Sequence, residues 1–308
     1  MYTENIAKDI LLFSKAVVTN QLARFTPTLY VKLTRQTGRA HEEETSKKIG
    51  DYLIQCFKDY FTQLEIEPEN IEEYLHNKVI LEYGPGDILG VALLMYAHGA
   101  QQIHCVDRFP LEKTTEKNIE VYSHILNSLN DEKRKRAESI FLKHGDPGSG
   151  FDPDKILYLV TANGFSGEKG TYDLIISRAV LEHVNNLDGT FNDIKTALKQ
   201  TGTSIHQVDL KSHNLDRYKE LDFLSWPSFA YRLMYSHKGF PNRWRIDRYQ
   251  NLIQSHDLEC TKFACTQKLD IHKAKEIRHK LASPFQKLSG EELSWLGFWM
   301  VLRQNTQA

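Results

Sequence analysis

The chain has 308 residues, with 39 lysines and arginines against 40 aspartates and glutamates, a formal net charge of −1. So even a balance gives no reason to expect nucleic acid or an anionic membrane as the main partner, and the length suits one large α/β domain with an added lobe, or two modest domains. The opening residues lack the basic start and apolar block of a signal peptide, no apolar run is long enough to span a bilayer, and Cys56, Cys105, Cys260 and Cys265 have neither metal nor redox spacing, so a cytoplasmic location is expected.

In chain order, residues 1–77 read as helical. Between His41 and Phe61 the apolar side chains Ile49, Tyr52, Leu53, Cys56, Phe57, Tyr60 and Phe61 keep the three- and four-residue spacing of a helix with one buried face. Glu65 to Asn70, with Pro68, breaks the pattern. The segment is expected to cap the rest, with Tyr30, Arg35 and Arg39 placed to form part of a lid. Short apolar runs then alternate with helices. Strands are expected at Val79–Tyr83, Ile103–Val106, Ile156–Val160, Asp173–Ser177 and Ser204–Asp209. Helices are expected at Ile88–Tyr96, twice within the charged stretch Glu112–Glu138 as solvated helices, at Gly189–Lys199 and near Tyr249–Ser255.

That alternation calls for an α/β fold: a parallel sheet with helices on both faces. Right-handed crossovers then gather the loops that follow the strands at one edge. The expected division is a helical cap at 1–77, a Rossmann-like core at 78–209, an inserted helical lid at 210–245 and the end of the core at 246–308. Residues 210–245 are rich in aromatics, among them Phe223, Trp226, Tyr231, Tyr235 and Phe240, and a pocket needs walls that strand tips alone do not supply.

Residues 78–90, Lys-Val-Ile-Leu-Glu-Tyr-Gly-Pro-Gly-Asp-Ile-Leu-Gly, carry the most information. A buried strand stops at the turn Gly84-Pro85-Gly86, and Asp107 follows at the tip of the next strand, about 20 residues on, where an acid accepts hydrogen bonds from both hydroxyls of a ribose. Glycines let the backbone approach a ligand closely. A dinucleotide site wants its third glycine early in the helix, to seat a pyrophosphate. Here that glycine is Gly90, one position late, and Glu82 stands just before the turn. A carboxylate there suits an ammonium, and S-adenosylmethionine carries an α-amino group and a sulfonium but no phosphate. Asp87 is expected to cap the helix after the turn.

The stretch Tyr172-Asp-Leu-Ile-Ile-Ser-Arg-Ala-Val-Leu-Glu-His-Val184 resembles the fourth strand and following turn of class I S-adenosylmethionine-dependent methyltransferases. Glu82-Tyr-Gly-Pro-Gly86 resembles their first motif, and Thr196-Ala-Leu-Lys-Gln-Thr-Gly202 with Ser204-Ile-His-Gln-Val208 their last crossover and fifth strand. The likeness covers roughly residues 78–210, with a final pair of strands near 259–267 and 297–303, and implies a seven-stranded, mostly parallel, doubly wound sheet. Residues 206–249 are similar to a group of bacterial methyltransferases, the type 11/12 group, associated with polysaccharide or natural-product pathways. The resemblance implies S-adenosyl-L-methionine as cofactor, held by Glu82, Gly84, Pro85, Gly86, Asp107, Arg108, Asn163, Ser177 and Arg178, and transfer of its methyl group to an oxygen or nitrogen of a small or sugar-like acceptor. An oxidoreductase using a nicotinamide cofactor, or a non-catalytic cofactor-binding partner subunit, are the alternatives.

Methyl transfer needs alignment, exclusion of water and sometimes a base. His183, His206 and His213 are the candidate bases, because imidazole titrates near neutrality. Some similar methyltransferases hold a divalent ion with a Glu-His pair like Glu182-His183 and a preceding carboxylate. That carboxylate falls on Ala179 here, with only His206 to compensate, so no metal is expected.

Overall fold

The computed structural model describes residues 2–34 and 44–305. Arg35 and Arg39 lie outside the described residues. In chain order the elements are α1 (Ile6–Phe25), α2 (Pro27–Thr34), α3 (Ser46–Gln63), α4 (Ile71–Leu75), β1 (Val79–Tyr83), α5 (Gly90–Ala97), β2 (Gln102–Asp107), α6 (Glu116–Ser128), α7 (Asp131–Glu138), β3 (Ile156–Val160), β4 (Tyr172–Arg178), α8 (Leu187–Ala197), β5 (Leu198–Asp209), α9 (Ser228–Tyr235), α10 (Ile246–Ser255), β6 (Leu258–Lys268), α11 (Ile271–Arg278), α12 (Ser283–Gln286), α13 (Gly290–Ser294) and β7 (Trp295–Gln304).

The strands form one seven-stranded sheet in the order β3-β2-β1-β4-β5-β7-β6. From β3 to β5 every pairing is parallel, and β7 runs antiparallel to both of its neighbours. The order reverses between β1 and β4, so the crevice at their C-terminal ends is the topological switch point, where α/β sheets bind ligands.

Local chemistry explains the elements. α3 buries Ile49, Leu53, Cys56, Phe57, Tyr60 and Phe61 on one stripe, and the Thr45 side chain accepts from Lys48 N to cap it. α5 is buried at every position and packs among α3, α6 and α7. It starts at Gly90 because a Cβ there would sit 2.7 Å from Leu53 Cδ1 and 2.9 Å from Ile125 Cδ1. Asp87 does not cap it: the N-cap is Leu89, with no side-chain cap bond, and Leu89 N donates to the Tyr122 hydroxyl. α6 is not the solvated helix its charges suggest, since Val121, Tyr122, Ile125 and Leu126 are buried against α3 and the sheet.

Residues 1–77 divide between two environments. α3 and α4 belong to the core on one face of the sheet, with Ile80, Ile103 and Leu174. α1 packs instead on α9, where Ala16 meets Trp226, Ala230, Tyr231 and Met234. Polar contacts carry much of that junction. Arg217 Nη1 lies 3.0 Å from the buried Asp9 carboxylate, Asn20 Nδ2 donates to Leu233 O, and His237 N donates to Asn20 Oδ1. A second insertion, α11 to α13, separates β6 from β7 and closes over Leu221, Phe223 and Leu224.

Arg245 ties these parts to the sheet. It is buried, and its guanidinium donates to the carbonyls of Leu210, Leu293 and Trp295, at the end of β5 and the approach to β7. Arg245→Met will strand those carbonyls in a dry interior, at a cost of about 3 kcal/mol. Urea denaturation checks this, and a loss below about 1 kcal/mol would show that the carbonyls find other donors.

Candidate functional site

The tips of β1, β2, β3 and β4 converge on the turn Gly84-Pro85-Gly86. Gly84 N donates to Val106 O, and φ is +60° at Gly84 and +79° at Gly86, a left-handed backbone that glycine adopts without strain. A Cβ on Gly84 would lie 2.6 Å from Val180 Cγ2, so this glycine answers first to the loop after β4. Within that loop Ala179 holds φ +53°, a strained choice for a residue with a side chain.

Two cavities meet at the turn. The larger, about 860 Å³, runs along Asp107, Arg108, Phe109, Asn163 and Gly164, past His183, to Tyr30 of α2 and to Lys238 and Gly239 beyond α9. The smaller, about 640 Å³, is lined by Glu82, Pro85, Asp87, Tyr52, Arg178 and His213. Both are bounded by Gly84, Gly86, Ala179 and His183. Tyr30 lines the larger cavity.

Of the expected cofactor residues, Glu82, Gly84, Pro85, Gly86, Asp107, Arg108, Asn163 and Arg178 line one cavity or the other. Glu82 is buried with no cationic partner among the described residues. Burial pushes its carboxyl up to about 8, opposed only by the Cys105 thiol at 3.8 Å. Asp107 accepts from Phe109 N at 3.0 Å, and burial raises its pKa as well. The Arg178 guanidinium donates to Asp59 of α3 at 2.7 Å, so its side chain, beyond its backbone, shapes the smaller cavity. Ser177 is different. It is fully buried and lines neither cavity, its hydroxyl bonded to His206 Nδ1 at 2.7 Å.

The three candidate bases separate. His206 is fully buried beside Ser177, paired with Met300 across the sheet, and burial pushes it down to about 3; it reaches neither cavity. His183 lines both cavities, and His213 lines the smaller one. Their rings lie 4.8 Å apart, edge to face. Burial, then the neighbouring His213, lowers His183 to about 4, so its imidazole is neutral near pH 7.

His213, rather than His206, also completes a possible cation cradle. One oxygen of Glu182 and one nitrogen each of His183 and His213 lie within 4.8 Å of one another. Both Glu182 oxygens, His183 Nδ1 and His213 Nε2 are shielded and without hydrogen-bond partners. One carboxylate oxygen and two imidazoles form a donor set suited to a divalent transition ion. Spacing alone did not bring His213 to the pair, because its approach depends on the left-handed backbone at His213 and Asn214.

Several residues of the site carried no sequence signal. Asn242 donates from its backbone to Glu182 O and from its side chain to the carbonyls of Leu181 and Val184. The inserted segment therefore holds the Glu182-His183 loop in place. Arg24, His237, Lys238 and Gly239 close the far wall of the larger cavity.

A switch-point crevice with an acid before a glycine turn, a second acid at the neighbouring strand tip and no seat for a pyrophosphate defines the class I methyltransferase arrangement. The chain matches the model of the methyltransferase domain family over residues 58–262, and it belongs to that family. It is an S-adenosylmethionine-dependent methyltransferase. Similar solved structures include an S-adenosylmethionine-dependent methyltransferase from Mesorhizobium loti, 14% identical, covering 75% of this chain and 92% of that one with a TM-score of 0.42. Another is phosphoethanolamine N-methyltransferase 2 of Haemonchus contortus in complex with S-adenosyl-L-methionine, 13% identical, covering 74% of this chain and 49% of that one with a TM-score of 0.39. No curated protein matches the chain.

If the cofactor's ammonium lies against Glu82, cofactor binding depends on pH. Its carboxyl is protonated below about pH 8 in the unliganded protein, and an ammonium placed beside it favours the carboxylate. Binding of S-adenosylhomocysteine therefore expels a proton, and affinity rises with pH by up to about tenfold per unit below pH 8 and then levels. Calorimetry in buffers of different ionisation enthalpy measures the released proton. Glu82→Gln will abolish the release and flatten the profile, and a flat profile in the unaltered protein would place the ammonium elsewhere.

Proposed function

We propose that the enzyme transfers the methyl group of S-adenosylmethionine to an oxygen or nitrogen of a small-molecule or sugar-like acceptor, in a biosynthetic role in the cytoplasm, with neither nucleic acid nor membrane as partner. The observation that carries this reading is the pair of cavities joined at Gly84, Gly86, Ala179 and His183. One joined crevice accommodates an amino acid end, a nucleoside end and an acceptor around a single point. Among the described residues no helix is long and apolar enough to cross a membrane.

In this reading the ribose hydroxyls donate to Asp107, and the adenine lies toward Asn163 and Gly164 with Arg108 alongside. The ammonium faces Glu82, and Arg178 stands near the carboxylate. The sulfonium then points toward His183. The acceptor atom attacks the methyl carbon in line, the carbon–sulfur bond breaks, its electron pair stays on sulfur, and the acceptor's proton must leave. Neutral His183 is in the form that accepts a proton, and its Nδ1 has no competing partner. The protein's share of the acceleration is otherwise alignment and exclusion of water, because the sulfonium already activates the carbon.

Asp107→Ala removes acceptors for the ribose and will weaken S-adenosylhomocysteine binding by about 10- to 100-fold without lowering the melting temperature. His183→Ala is expected to lower turnover on a panel of hydroxyl and amine acceptors by about 10²-fold or more while cofactor affinity changes little. Equal losses in turnover and affinity would make His183 a structural residue. Titration with NAD serves as the control: if NAD bound and S-adenosylhomocysteine did not, the reading would fail.

A further inference from the structure

The far wall of the larger cavity collects positive charge from three parts of the chain. Arg24 comes from the end of α1, Arg108 follows β2, and His237 and Lys238 follow α9; all four line the cavity. Arg108 reaches from the core to the lid: its Nη2 would lie 3.3 Å from a Cβ on Gly239. Lys238 is buried to 6% exposure and held in place, its ammonium donating to Thr19 Oγ1 at 2.8 Å and lying over the rings of Tyr235 and Phe240.

What these cations lack, among the described residues, is a direct ion pair; Asp107 acts on Arg108 only at longer range. Arg217, in the same lid, is met by both Asp9 and Asp222, and Arg178 is met by Asp59. Among the described residues no carboxylate pairs with Arg24, Arg108 or Lys238. Nor does either arginine donate to an acceptor among the described residues: Arg24 lies over Phe25 and Arg108 over Phe109, and the N–H donors remain for something else. Burial alone lowers the Lys238 pKa to about 8, burial lowers Arg108 with Asp107 opposing, and His237 is lowered by burial and by the charges of Arg24 and Arg108. The cofactor does not answer them. It carries no phosphate, and its one carboxylate belongs with its ammonium at the other end of the crevice, beside Glu82 and Arg178.

We infer that the acceptor is anionic, and that Arg24, Arg108 and Lys238 hold its oxyanion, a phosphate or a carboxylate, so that the rest of the molecule extends toward His183. This rests on the methyltransferase reading of the same cavity. Two planar guanidinium forks and one ammonium suit the several oxygens of such a group. The anion would also offset the positive sulfonium, so acceptor and methyl donor favour each other's binding, whereas the product S-adenosylhomocysteine lacks that charge.

The test is calorimetric titration of the full chain, saturated with S-adenosylhomocysteine, using methyl phosphate, acetate and methanol as probes. Methyl phosphate is expected to bind at millimolar concentration, more weakly as sodium chloride is raised. Lys238→Met and Arg24→Gln are each expected to weaken it at least about fivefold while S-adenosylhomocysteine affinity stays within about twofold. Arg24 is exposed on its helix, so Arg24→Gln gives a folded variant even if burying a methionine at 238 does not. Binding of methyl phosphate alone identifies a phosphate ester as the acceptor, and comparable binding of acetate identifies a carboxylate; either supports the inference. If neither anion binds while S-adenosylhomocysteine does, or if methyl phosphate displaces S-adenosylhomocysteine, the anionic acceptor is overturned and the methyltransferase remains. Should S-adenosylhomocysteine itself fail to bind, the functional reading falls first, and methyl phosphate added alone then reports on the cation cluster.

Discussion

The approach of Gly84 to Val180 is the contact on which the rest depends. The turn after β1 and the loop after β4 come so close that a single methyl group on Gly84 would overlap the valine. That closeness brings the cofactor turn within reach of the Glu182-His183 loop and makes one crevice of two cavities. Its cost is visible at Ala179, which takes a left-handed backbone and whose N–H is satisfied by Gln207 O across on β5. Asn242 then fastens the loop from the other side, so the site is held between sheet and lid and does not rest on the loop alone.

Charge is distributed along the crevice with the same economy. Acids stand at the sheet end, where Glu82 and Asp107 are desolvated and raised in pKa. Cations line the far wall, where Arg24 and Lys238 form no ion pair among the described residues and Arg108 reaches across from beside Asp107. Between them His183 is kept neutral by burial. Such a gradient orients any molecule that is positive at one end and negative at the other, and in a low-dielectric crevice that orientation is worth far more than in water. Each group destabilises the protein slightly until its ligand arrives, which is the usual price of a site prepared in advance.

Much of the fold was legible in the chain. β1, β2 and β4 are short, largely buried apolar runs inside the sheet and β3 is an apolar run at its edge, and a parallel sheet leaves no other place for them. The glycine turn and the two acids were legible because few chemistries place them in that order. What was hidden had physical reasons. α1 docks through Asp9, Asn20 and small residues rather than through an apolar stripe, so its periodicity says little. α11 to α13 are short and charged, and they acquire a core only by covering Leu221, Phe223 and Leu224 from elsewhere in the chain. β5 begins at Leu198, earlier than its apolar run suggests, because half-buried Lys199 and exposed Gln200 and Thr201 extend it past an irregularity in its pairing with β4.

The histidines show where the division lies. By itself the sequence determined the class of fold, the cofactor and its turn, since periodicity, glycine and carboxylate act locally and their consequences travel along the chain. His206 and His213 looked equivalent, both near the end of one strand. Only the tertiary structure decided between them: the pleat points His206 into the sheet against Ser177, while the chain reversal after β5 brings His213 back against His183. The same is true of Arg24, Arg108 and Lys238, more than 200 residues apart at the extremes of Arg24 and Lys238. No spacing rule joins them, because their meeting depends on how α1 and the inserted segment pack together, and packing is a property of the assembled molecule.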